Sequence, residues 1–456
     1  MTYNSLTFRN VSALQPLAYI ASGADVVINN INIIDCTVSD SFALLFGSIA
    51  QTTINTFNIQ NFAISNSVSN SLIDFEISSR GILTLNDFSI IDATLDNSDS
   101  IMHITSSNGT FIANNMVFSD IEMLEDASVI KFGEIAISEV TNMSFIDISI
   151  TDSDDITNQI IDLGELVSKV NSRMTFTNTS VRNSKVKVMS IANSGQSKTI
   201  NQYITFNDFT LKDCYFSSSE DLIYTGNVKS DAVFSIVFNR LMVSNITFVQ
   251  NGNIMYLRHQ VTEPLQIIDS EFSDIVLTGI TIRSFNIQSL SVPTRVSMSN
   301  FTAHDIDGQS RSFIIINDKS YLSIDSSQFY YISNIRSGAV LYGGITEATA
   351  DISDSQFFNN TSLEGGVMVS ESKSLIKCTN CTFTNNLAIS SGVIKAKDDG
   401  YYELYRCTIR ENRAIVAPVS EVFSTQLLSV IDNCIISENY ALDIATIRNE
   451  YITQSK

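Results

Sequence analysis

The chain has no tryptophan, only four prolines and 18 glycines among its 456 residues, and few charged side chains. Charged residues make up 16% of the sequence and apolar residues 44%, whereas ordinary globular domains contain about 25% charged residues. So large an apolar fraction with so little charge excludes a disordered chain. Asn, Asp, Ser, Ile and Thr are in excess instead, which favours β-strands joined by Asn- and Asp-based turns.

Positive charge and long apolar runs are also scarce. Lys and Arg number 27 against 48 Asp and Glu, so the formal net charge is −21. A strongly acidic protein repels phosphate backbones and anionic headgroups, which argues against a nucleic-acid partner. No window reaches the roughly 18 consecutive apolar residues of a membrane span, and the N-terminal segment is not typical of a signal peptide. We therefore expect no membrane span.

A short phrase recurs along the chain: an apolar-x-apolar unit followed by polar residues, often Asn or Asp. The second apolar residue of each copy is called the anchor. The anchors assigned from the sequence are Phe8, Ile33, Ile64, Ile90, Phe118, Phe145, Val181, Leu211, Phe248, Phe272, Phe301, Phe329, Phe357, Phe383, Ile409 and Ile436. Their mean spacing is about 28.5 residues, and a period of this size indicates a repeat architecture.

Two further apolar clusters follow the anchor in each period, so each repeat supplies three short strands. Stacking of successive repeats pairs like strands in parallel, which predicts an all-β parallel β-helix of about 16 three-strand coils. The period is too short for a propeller blade, and the consensus of leucine-rich repeats is missing. We expect one continuous domain over residues 1–456, with inserted loops near 150–175 and 215–245 and no evident end caps.

The last quarter of the sequence carries a family resemblance. It repeats Phe-x-x-Asn, as in 357–360 and 383–386, between segments such as Gly365-Gly366-Val367-Met368. This pattern resembles right-handed parallel β-helix surface proteins of pectin-lyase-like fold, as in polymorphic outer-membrane adhesins and large surface proteins of protists. The resemblance covers roughly residues 329–445 and implies a right-handed helix and a surface location. It implies no reaction, because the fold hosts adhesins, lyases and coat proteins.

An asparagine occupies the position three residues after the anchor in the last repeats, where other repeats carry Ile. The four are Asn360, Asn386, Asn412 and Asn439. Because the Ile counterparts indicate an inward position at a bend, we predict an asparagine ladder, in which stacked amides hydrogen-bond to one another and to the turn backbone. A polar binding cleft is the alternative.

Cys381, Cys407 and Cys434 each lie two residues before an anchor. Because side chains alternate between the two faces of a strand, this position predicts buried side chains that stack from coil to coil. Strand spacing would bring neighbouring Cα atoms into disulfide range, so both buried thiols and a disulfide stay open. Cys378 and Cys381 also form a C-x-x-C pair that superficially suggests zinc. Two residues that are three positions apart on a strand point to opposite faces, however, so we expect no metal site.

Several asparagines lie in Asn-x-Ser/Thr sequons. Those predicted to carry N-linked glycans are Asn142, Asn178, Asn245, Asn380, Asn10, Asn108 and Asn300. The first four share the position three before an assigned anchor, and an odd spacing from an inward residue indicates an outward one. Recurrence at an exposed register favours a glycosylated extracellular protein. Asn360 is also in a sequon, but its amide is expected inside the ladder and without sugar.

No catalytic constellation is visible in the sequence. The three histidines, His103, His259 and His304, fall in separate repeats without a nucleophile phrase nearby. A stripe of carboxylates two residues after the anchor could bind Ca²⁺ weakly, although screened surface charge is the default interpretation; it comprises Asp35, Asp92, Asp120, Asp147 and Asp213. The sequence thus predicts no catalytic residues, no cofactor and no enzymatic activity.

Taken together, these features predict a structural protein of the cell surface or extracellular space. A β-helix exposes unpaired backbone groups and an apolar cross-section at each end. We therefore expect self-association end to end, into a filament or as part of a longer fibre, with N-linked glycans outside. A surface adhesin or a carbohydrate-active enzyme of the same fold is the alternative.

Overall fold

A computed structural model gives the architecture of the chain. It describes residues 1–14, 17–21, 25–39, 43–65, 71–96, 100–106, 108–123, 127–133, 135–150, 159–163, 172–191, 201–216, 221–225, 234–249, 252–257, 263–278, 283–288, 293–308, 312–344, 347–423, 429–442 and 446–450. The described residues contain strands, turns and bends but no helix. They divide into two compact units, residues 1–216 with 222–236 and residues 217–221 with 237–456.

In the first unit, many strands are long and run through a bend. The strands are β1 Thr2–Tyr3, β2 Leu6–Arg9, β3 Ser12–Ala13, β4 Ala18–Ala21, β5 Asp25–Ile28, β6 Ile31–Ser39, β7 Leu44–Ser65, β8 Ile73–Leu95, β9 Ser100–Thr105, β10 Thr110–Met123, β11 Ser128–Phe132, β12 Ile137–Ile150, β13 Gln159–Asp162, β14 Ser172–Arg182, β15 Lys187–Ile191, β16 Gln202–Phe216 and β17 Asp221–Thr225. They pair in parallel with the equivalent strands one repeat away, as β10 does with β8 and β12.

In the second unit, the strands shorten toward the C-terminus. They are β18 Phe234–Phe248, β19 Asn253–Leu257, β20 Leu265–Ile268, β21 Glu271–Leu277, β22 Arg283–Gln288, β23 Arg295–Ser299, β24 Thr302–Gly308, β25 Ile314–Asn317, β26 Tyr321–Asp325, β27 Gln328–Asn334, β28 Leu341–Gly343, β29 Thr349–Ser353, β30 Gln356–Phe358, β31 Thr361–Ser362, β32 Met368–Glu371, β33 Leu375–Thr379, β34 Thr382–Thr384, β35 Leu387–Ala388, β36 Ile394–Lys397, β37 Tyr401–Tyr405, β38 Thr408–Arg410, β39 Arg413–Ala414, β40 Ser420–Phe423, β41 Val430–Asp432, β42 Ile435–Ser437, β43 Tyr440–Ala441 and β44 Ile447–Glu450. Their pairing is again parallel.

These parallel strand columns confirm the predicted fold class, an all-β parallel β-helix. The core lies inside each unit and alternates with outward residues, as in β10, where inward side chains are fully buried. Stacked phenylalanines fill it, with ring centroids 5.1 Å apart between Phe118 and Phe145 and 5.0 Å apart between Phe357 and Phe383. The expectation of one continuous domain stays a prediction. Most of the expected loop region near 150–175 lies outside the described residues, whereas most of the region near 215–245 lies in β16, β17 and β18.

The anchors stack in register, with three corrections to the sequence assignment. Ile33 pairs with Ile59 rather than Ile64, Val243 rather than Phe248 pairs with Phe272, and Ala303 rather than Phe301 pairs with Phe329. The displaced residues Ile64, Phe248 and Phe301 are nonetheless buried. The two-residue period of a strand places several neighbouring apolar residues on the inner face, so apolar pattern alone does not fix which of them belongs to the anchor column.

The backbone turns at a fixed point after the anchor. In both units the residue at anchor plus two has a left-handed conformation, with φ between 49° and 59°. These residues are Asn10, Asp35, Asn61, Asp92, Asp120, Asp147, Asn183, Asp213, Asn245, Asp274, Asp305, Tyr331, Asn359, Asn385, Glu411 and Glu438. Asn and Asp tolerate this conformation better than other L-residues, which explains their recurrence at this position.

Candidate functional site

The asparagines at anchor plus three form a continuous hydrogen-bonded column inside the second unit. Asn360 Nδ2 donates to Asn386 Oδ1 over 3.1 Å, Asn386 Nδ2 to Asn412 Oδ1 over 2.9 Å, and Asn412 Nδ2 to Asn439 Oδ1 over 3.0 Å. Asn360, Asn386 and Asn412 are fully buried. These three amides therefore lie in the core and have no access to a ligand from outside.

The same amides also satisfy the main chain at the corner. The backbone N–H of Asn386 donates to Asn412 Oδ1 over 3.0 Å, and Asn386 Nδ2 donates to the carbonyl of Phe357 over 3.0 Å. The column begins where the N–H of Ile332 donates to Asn360 Oδ1 over 3.1 Å. Because both the amide and the backbone groups are paired, this geometry is that of a structural column rather than a binding cleft.

Four cysteines lie together at another inner corner of the second unit. Cys378, Cys381 and Cys407 are buried and Cys434 is half-buried, and all are free thiols. The expectation that Cys378 and Cys381 point to opposite faces is wrong, because Asn380 between them has φ of 58° and reverses the alternation. A hydrogen bond with Cys378 and burial raise the pKa of Cys381.

The sequon asparagines are exposed, with one change of register. Asn142, Asn178 and Asn380 lie three residues before an anchor, as predicted, and Asn300 joins them once Ala303 is the anchor. Asn245 instead follows Val243 by two residues. Asn10, Asn108 and Asn245 are also exposed. Occupancy by sugar stays a prediction for all seven.

At least four of these asparagines donate hydrogen bonds from Nδ2 across the strands: Asn142 and Asn178, Asn300 to Asp269 Oδ1 over 2.7 Å, and Asn380 to Asp354 Oδ1. Asn178 Nδ2 donates to Asn142 Oδ1 over 2.8 Å, and Asn142 Nδ2 donates to Asn115 Oδ1 over 2.9 Å. The Asp stripe expected to attract Ca²⁺ occupies the left-handed anchor-plus-two position, which gives it a conformational reason to recur. No cluster of His, Cys, Asp or Glu suited to a metal ion occurs in the part of the chain that the structure describes.

The first unit contains a column of charged side chains on β8, β9, β11 and β13. This column was not predicted from the sequence. Asp74, His103, Lys131 and Asp162 occupy successive positions in register on β8, β9, β11 and β13. His103 Nδ1 lies 3.4 Å from Asp74 Oδ1. Asp74 is only 8% exposed. These residues are far apart in sequence, so only the register of the coils brings them together.

His103 is arranged as one half of a carboxylate–imidazole pair. Its Nδ1 faces Asp74, and its Nε2 has no hydrogen-bond partner among the described residues. A Cβ added at Gly133 would lie 3.5 Å from Nε2, so the glycine leaves space beside that nitrogen. A carboxylate on one ring nitrogen with the other nitrogen open is a geometry suited to proton transfer.

A second histidine lies on the outer face of the second unit. His304 Nδ1 lies 2.7 Å from Asp305 Oδ2 and Nε2 lies 3.1 Å from Glu271 Oε1. Its ring stacks on Tyr330 at 4.8 Å, and Tyr330 stacks on Phe358 at 4.6 Å. Burial lowers the pKa of His304, but the hydrogen bonds with Asp305 and Glu271 outweigh it and raise the pKa above the ordinary value.

A group of charges near the C-terminus is paired internally. Lys395 Nζ lies 3.2 Å from Glu364 Oε1 and 3.7 Å from Glu421 Oε2, and Arg448 reaches Glu421 over 3.1 Å. Desolvation raises the pKa of Glu364, but Lys395 and Lys397 outweigh it, so the pKa is lower than usual. With its members mutually neutralised, this cluster is a stabilising network.

The comparisons with known proteins give two similar solved structures. One is the A-module of the mannuronan C-5 epimerase AlgE6 of Azotobacter vinelandii, 10% identical over 94% of this chain and 91% of that chain, with a TM-score of 0.20. The other is a mutant form of the PL6 family alginate lyase AlyGC, 8% identical over 100% of this chain and 95% of that chain, also with a TM-score of 0.20. No family model and no curated protein matches.

These matches correct one expectation. The prediction that the chain is not an enzyme is wrong, because both similar structures are enzymes by name, an epimerase and a lyase. Similarity at this level assigns no reaction to the chain. Among the described residues, no helix has the length and apolar character needed to cross a bilayer.

Proposed function

We propose that this chain is a structural protein of the cell surface or extracellular space, whose β-helix associates end to end through its terminal coils. The supporting observation is the burial of inward side chains. Ile436 in the last described anchor strand is half-buried, whereas Ile409 one coil earlier is fully buried. Likewise Phe8 in the first anchor strand is half-buried, and Ile33 in the next is fully buried.

The occupant that suits both surfaces is a second copy of this chain. The first and last described coils share a strand pattern and carry inward apolar side chains, so contact between the first coil of one copy and the last coil of another would extend the parallel ladders of both. The net charge of −21 opposes such association at low ionic strength. Salt should therefore promote assembly, because it screens repulsion between exposed charges.

The test compares two neighbouring substitutions in the last coil. Ile436 points inward and is half-buried, whereas Ile435 points outward and is 64% exposed. Sedimentation and electron microscopy of the full chain should show salt-promoted linear assembly that Ile436→Asp abolishes. Ile435→Asp is the matched control and should assemble normally. A chain that stays monomeric at high concentration and high salt would refute end-to-end association.

We propose in addition that N-linked glycans cover part of the outward face. Exposed sequons at a repeated register support this, above all Asn142, Asn178 and Asn380. Glycopeptide mapping of the protein from a glycosylating host should find sugar at these positions and none at buried Asn360. Sugar on Asn360 with unmodified Asn142 would contradict the assignment of inner and outer faces.

A second candidate function rests on the Asp74–His103 pair: proton transfer on a carbohydrate substrate. Asp74 faces Nδ1 of His103 and would orient the ring, so that Nε2 acts as a general base. Lys131 lies next in the same column and would favour negative charge that develops on the substrate. This role and the structural role are compatible, since the pair lies on β8 and β9 and the assembly surfaces lie at terminal coils.

A panel of neutral and acidic polysaccharides tests the second candidate. We expect depolymerising or epimerising activity that His103→Gln lowers at least about a hundredfold, the usual contribution of a general base. His304→Gln, which removes a histidine from the other unit, is the control and should retain activity. Activity that persists unchanged in His103→Gln, or no activity on any member of the panel, would refute this role.

A further inference from the structure

The four inner cysteines of the second unit form a graded path from the core to the surface. Cys378 is 0% exposed, Cys381 and Cys407 are 1% exposed, and Cys434 in the last described coil is half-buried. The sulfur of Cys434 is therefore the one that solvent reaches most easily. The other two cysteines, Cys36 and Cys214, lie in the first unit and are buried.

Neighbouring thiols on this path lie close together. Thr382 pairs with Thr408, and Thr408 with Ile435, so the cysteines that precede these residues lie directly above one another. Parallel strands are about 4.8 Å apart, within the Cα separation of roughly 4.4 to 6.8 Å that a disulfide needs. The N–H of Cys407 donates to Cys434 Sγ over 3.3 Å.

The bend at Asn380 adds Cys378 to the path. Cys378 and Cys381 are both buried on the inner face, although they lie on either side of the bend. Cys407 Sγ also lies 3.6 Å from the carbonyl oxygen of Cys378. The sequence interpretation placed Cys378 on the opposite face, so this contact follows from the structure alone.

We propose that Cys378, Cys381, Cys407 and Cys434 form a thiol–disulfide relay that low-molecular-weight disulfides oxidise through Cys434. Its fully oxidised form holds two disulfides, Cys378–Cys381 and Cys407–Cys434. The site is a redox modification site, and it requires neither a metal nor a partner protein.

The first disulfide forms in two exchange steps. The Cys434 thiolate attacks one sulfur of the small disulfide, which breaks the S–S bond and releases one small thiolate. The Cys407 thiolate then attacks Cys434 Sγ and expels the second small thiolate. One small disulfide is reduced to two thiols, the protein loses two electrons, and the two cysteine protons end on the released thiols.

The second disulfide forms after the first has moved inward. Cys381 attacks Cys407 Sγ and frees Cys434, which reacts with a second small disulfide to give a mixed disulfide. Cys378 then attacks Cys381 Sγ and frees Cys407, which displaces the small thiol from Cys434. Two small disulfides have become four thiols, and all four cysteines are paired.

Direct oxidation of the inner thiols is disfavoured. Cys378, Cys381 and Cys407 are at most 1% exposed, so a small disulfide reaches Cys434 first; burial raises the pKa of the Cys434 thiol as well, so exposure rather than ionisation sets the order. Cys214 offers a matched comparison: burial raises the pKa of its thiol to about 11, and its sulfur contacts the carbonyl oxygen of Lys212 at 3.2 Å. It stands apart from the four-cysteine path and should stay reduced.

The experiment uses the full chain, reduced and then incubated with glutathione disulfide at about pH 8, where the thiolate fraction of Cys434 is larger than at neutral pH although burial raises its pKa. Samples are alkylated and mapped by mass spectrometry. We expect Cys434 to form the mixed disulfide first, followed by the Cys407–Cys434 and Cys378–Cys381 bonds. Cys434→Ser should slow oxidation of the remaining three at least about tenfold, since the accessible thiol is lost. Cys214→Ser should leave the rate unchanged.

Cys434→Ser is expected to fold, because Ser270, Ser327 and Ser355 occupy the equivalent position in earlier coils. Thermal melting of the variant checks this. Order of labelling provides a second measurement on the unaltered chain, in which iodoacetamide should modify Cys434 before the other three. Four persistently free thiols, equal labelling of all four, or unchanged oxidation of a folded Cys434→Ser would each overturn the relay.

Discussion

The two units build the same corner of the coil in different ways. In the first unit, β10 runs through the left-handed residue Asp120, and the next inward side chain is Ile121, which packs in register on Ile148. In the last coils of the second unit, the strand breaks at Asn385 and the inward side chain is Asn386. One corner is filled with hydrocarbon and the other with amides.

The difference shows what an inward amide contributes. Where Ile fills the corner, main-chain hydrogen bonds continue along paired strands on both sides of the bend. Where Asn fills it, the side-chain oxygen accepts the backbone N–H that the broken strand leaves, as Asn412 does for Asn386. A buried amide is favourable only if its own groups are also paired, so the asparagines must occur in consecutive coils. Columns of like residues are the consequence.

The largest effect is expected where the two units are alike, in the anchor column. Phe145→Asp in the first unit and Phe329→Asp in the second should each lower the free energy of unfolding by at least about 5 kcal/mol, because a phenyl ring is lost and a charge is buried. Urea unfolding measures both. A tolerated substitution at either position would mean that the anchor column is not the core.

Replacing one asparagine of the amide column with a hydrocarbon side chain should disrupt the column. Asn386→Ile removes the acceptor of the Asn360 amide and the donor to Phe357, leaving several buried groups unpaired. We expect a loss of about 3 to 5 kcal/mol, at roughly 1 to 3 kcal/mol for each such group. Urea unfolding measures this loss. Asn385→Asp, which changes the exposed neighbour, is the control and should alter the free energy of unfolding by no more than about 0.5 kcal/mol.

The converse substitution sharpens the comparison. Ile148→Asn puts one amide into this corner of the first unit, where the neighbouring Ile121 offers no side-chain partner and Ser184 in the next coil offers only one hydroxyl. It should destabilise by about 2 to 4 kcal/mol through cavity formation and an unpaired polar group, measured in the same urea experiment. If Ile148→Asn were tolerated while Asn386→Ile was not, the need for consecutive amides would be refuted.

Gly392 in the last repeats lies too close to the next coil to accept even one methyl group. A Cβ on Gly392 would lie 2.2 Å from the carbonyl oxygen of Pro418 in the next coil. Gly392→Ala should therefore cost about 2 kcal/mol, within the range for overpacking. The adjacent Ser391→Ala is the control, since its buried hydroxyl has no hydrogen-bond partner among the described residues and its loss should be nearly neutral. Thermal melting compares the two.

The smallest expected effect is a pH dependence of stability that arises from His304 on the outer face of the second unit. The pKa of His304 is raised in the folded chain, so its contribution to stability is fully present below its unfolded pKa and is lost as pH rises through the folded value. Because the site is partly exposed, the change should not exceed about 1 kcal/mol. Melting temperature between about pH 5.5 and 8.5, the range in which histidines titrate, should decline in this sense. His304→Gln should flatten that part of the profile.

The sequence determined the class of fold and much of the core on its own. A period near 28 residues with apolar alternation leaves few alternatives to stacked coils, because only neighbouring repeats can cover one another's apolar faces. The positions of Asn360 and Asn386 were also predictable, since they replace Ile at a fixed distance from the anchor. The identity of the anchor itself was ambiguous at Phe301, where either of two inward residues fits the pattern.

Only the tertiary structure decided which distant side chains meet. The register between coils brings Asp74 beside His103 and His304 beside Glu271, and no local pattern encodes a register set by how far each intervening loop extends. The left-handed residue Asn380 decided that Cys378 faces inward with Cys381, because one such residue shifts the strand alternation by one place. Periodicity predicts faces within a strand, whereas turn conformation and loop length decide contacts between strands.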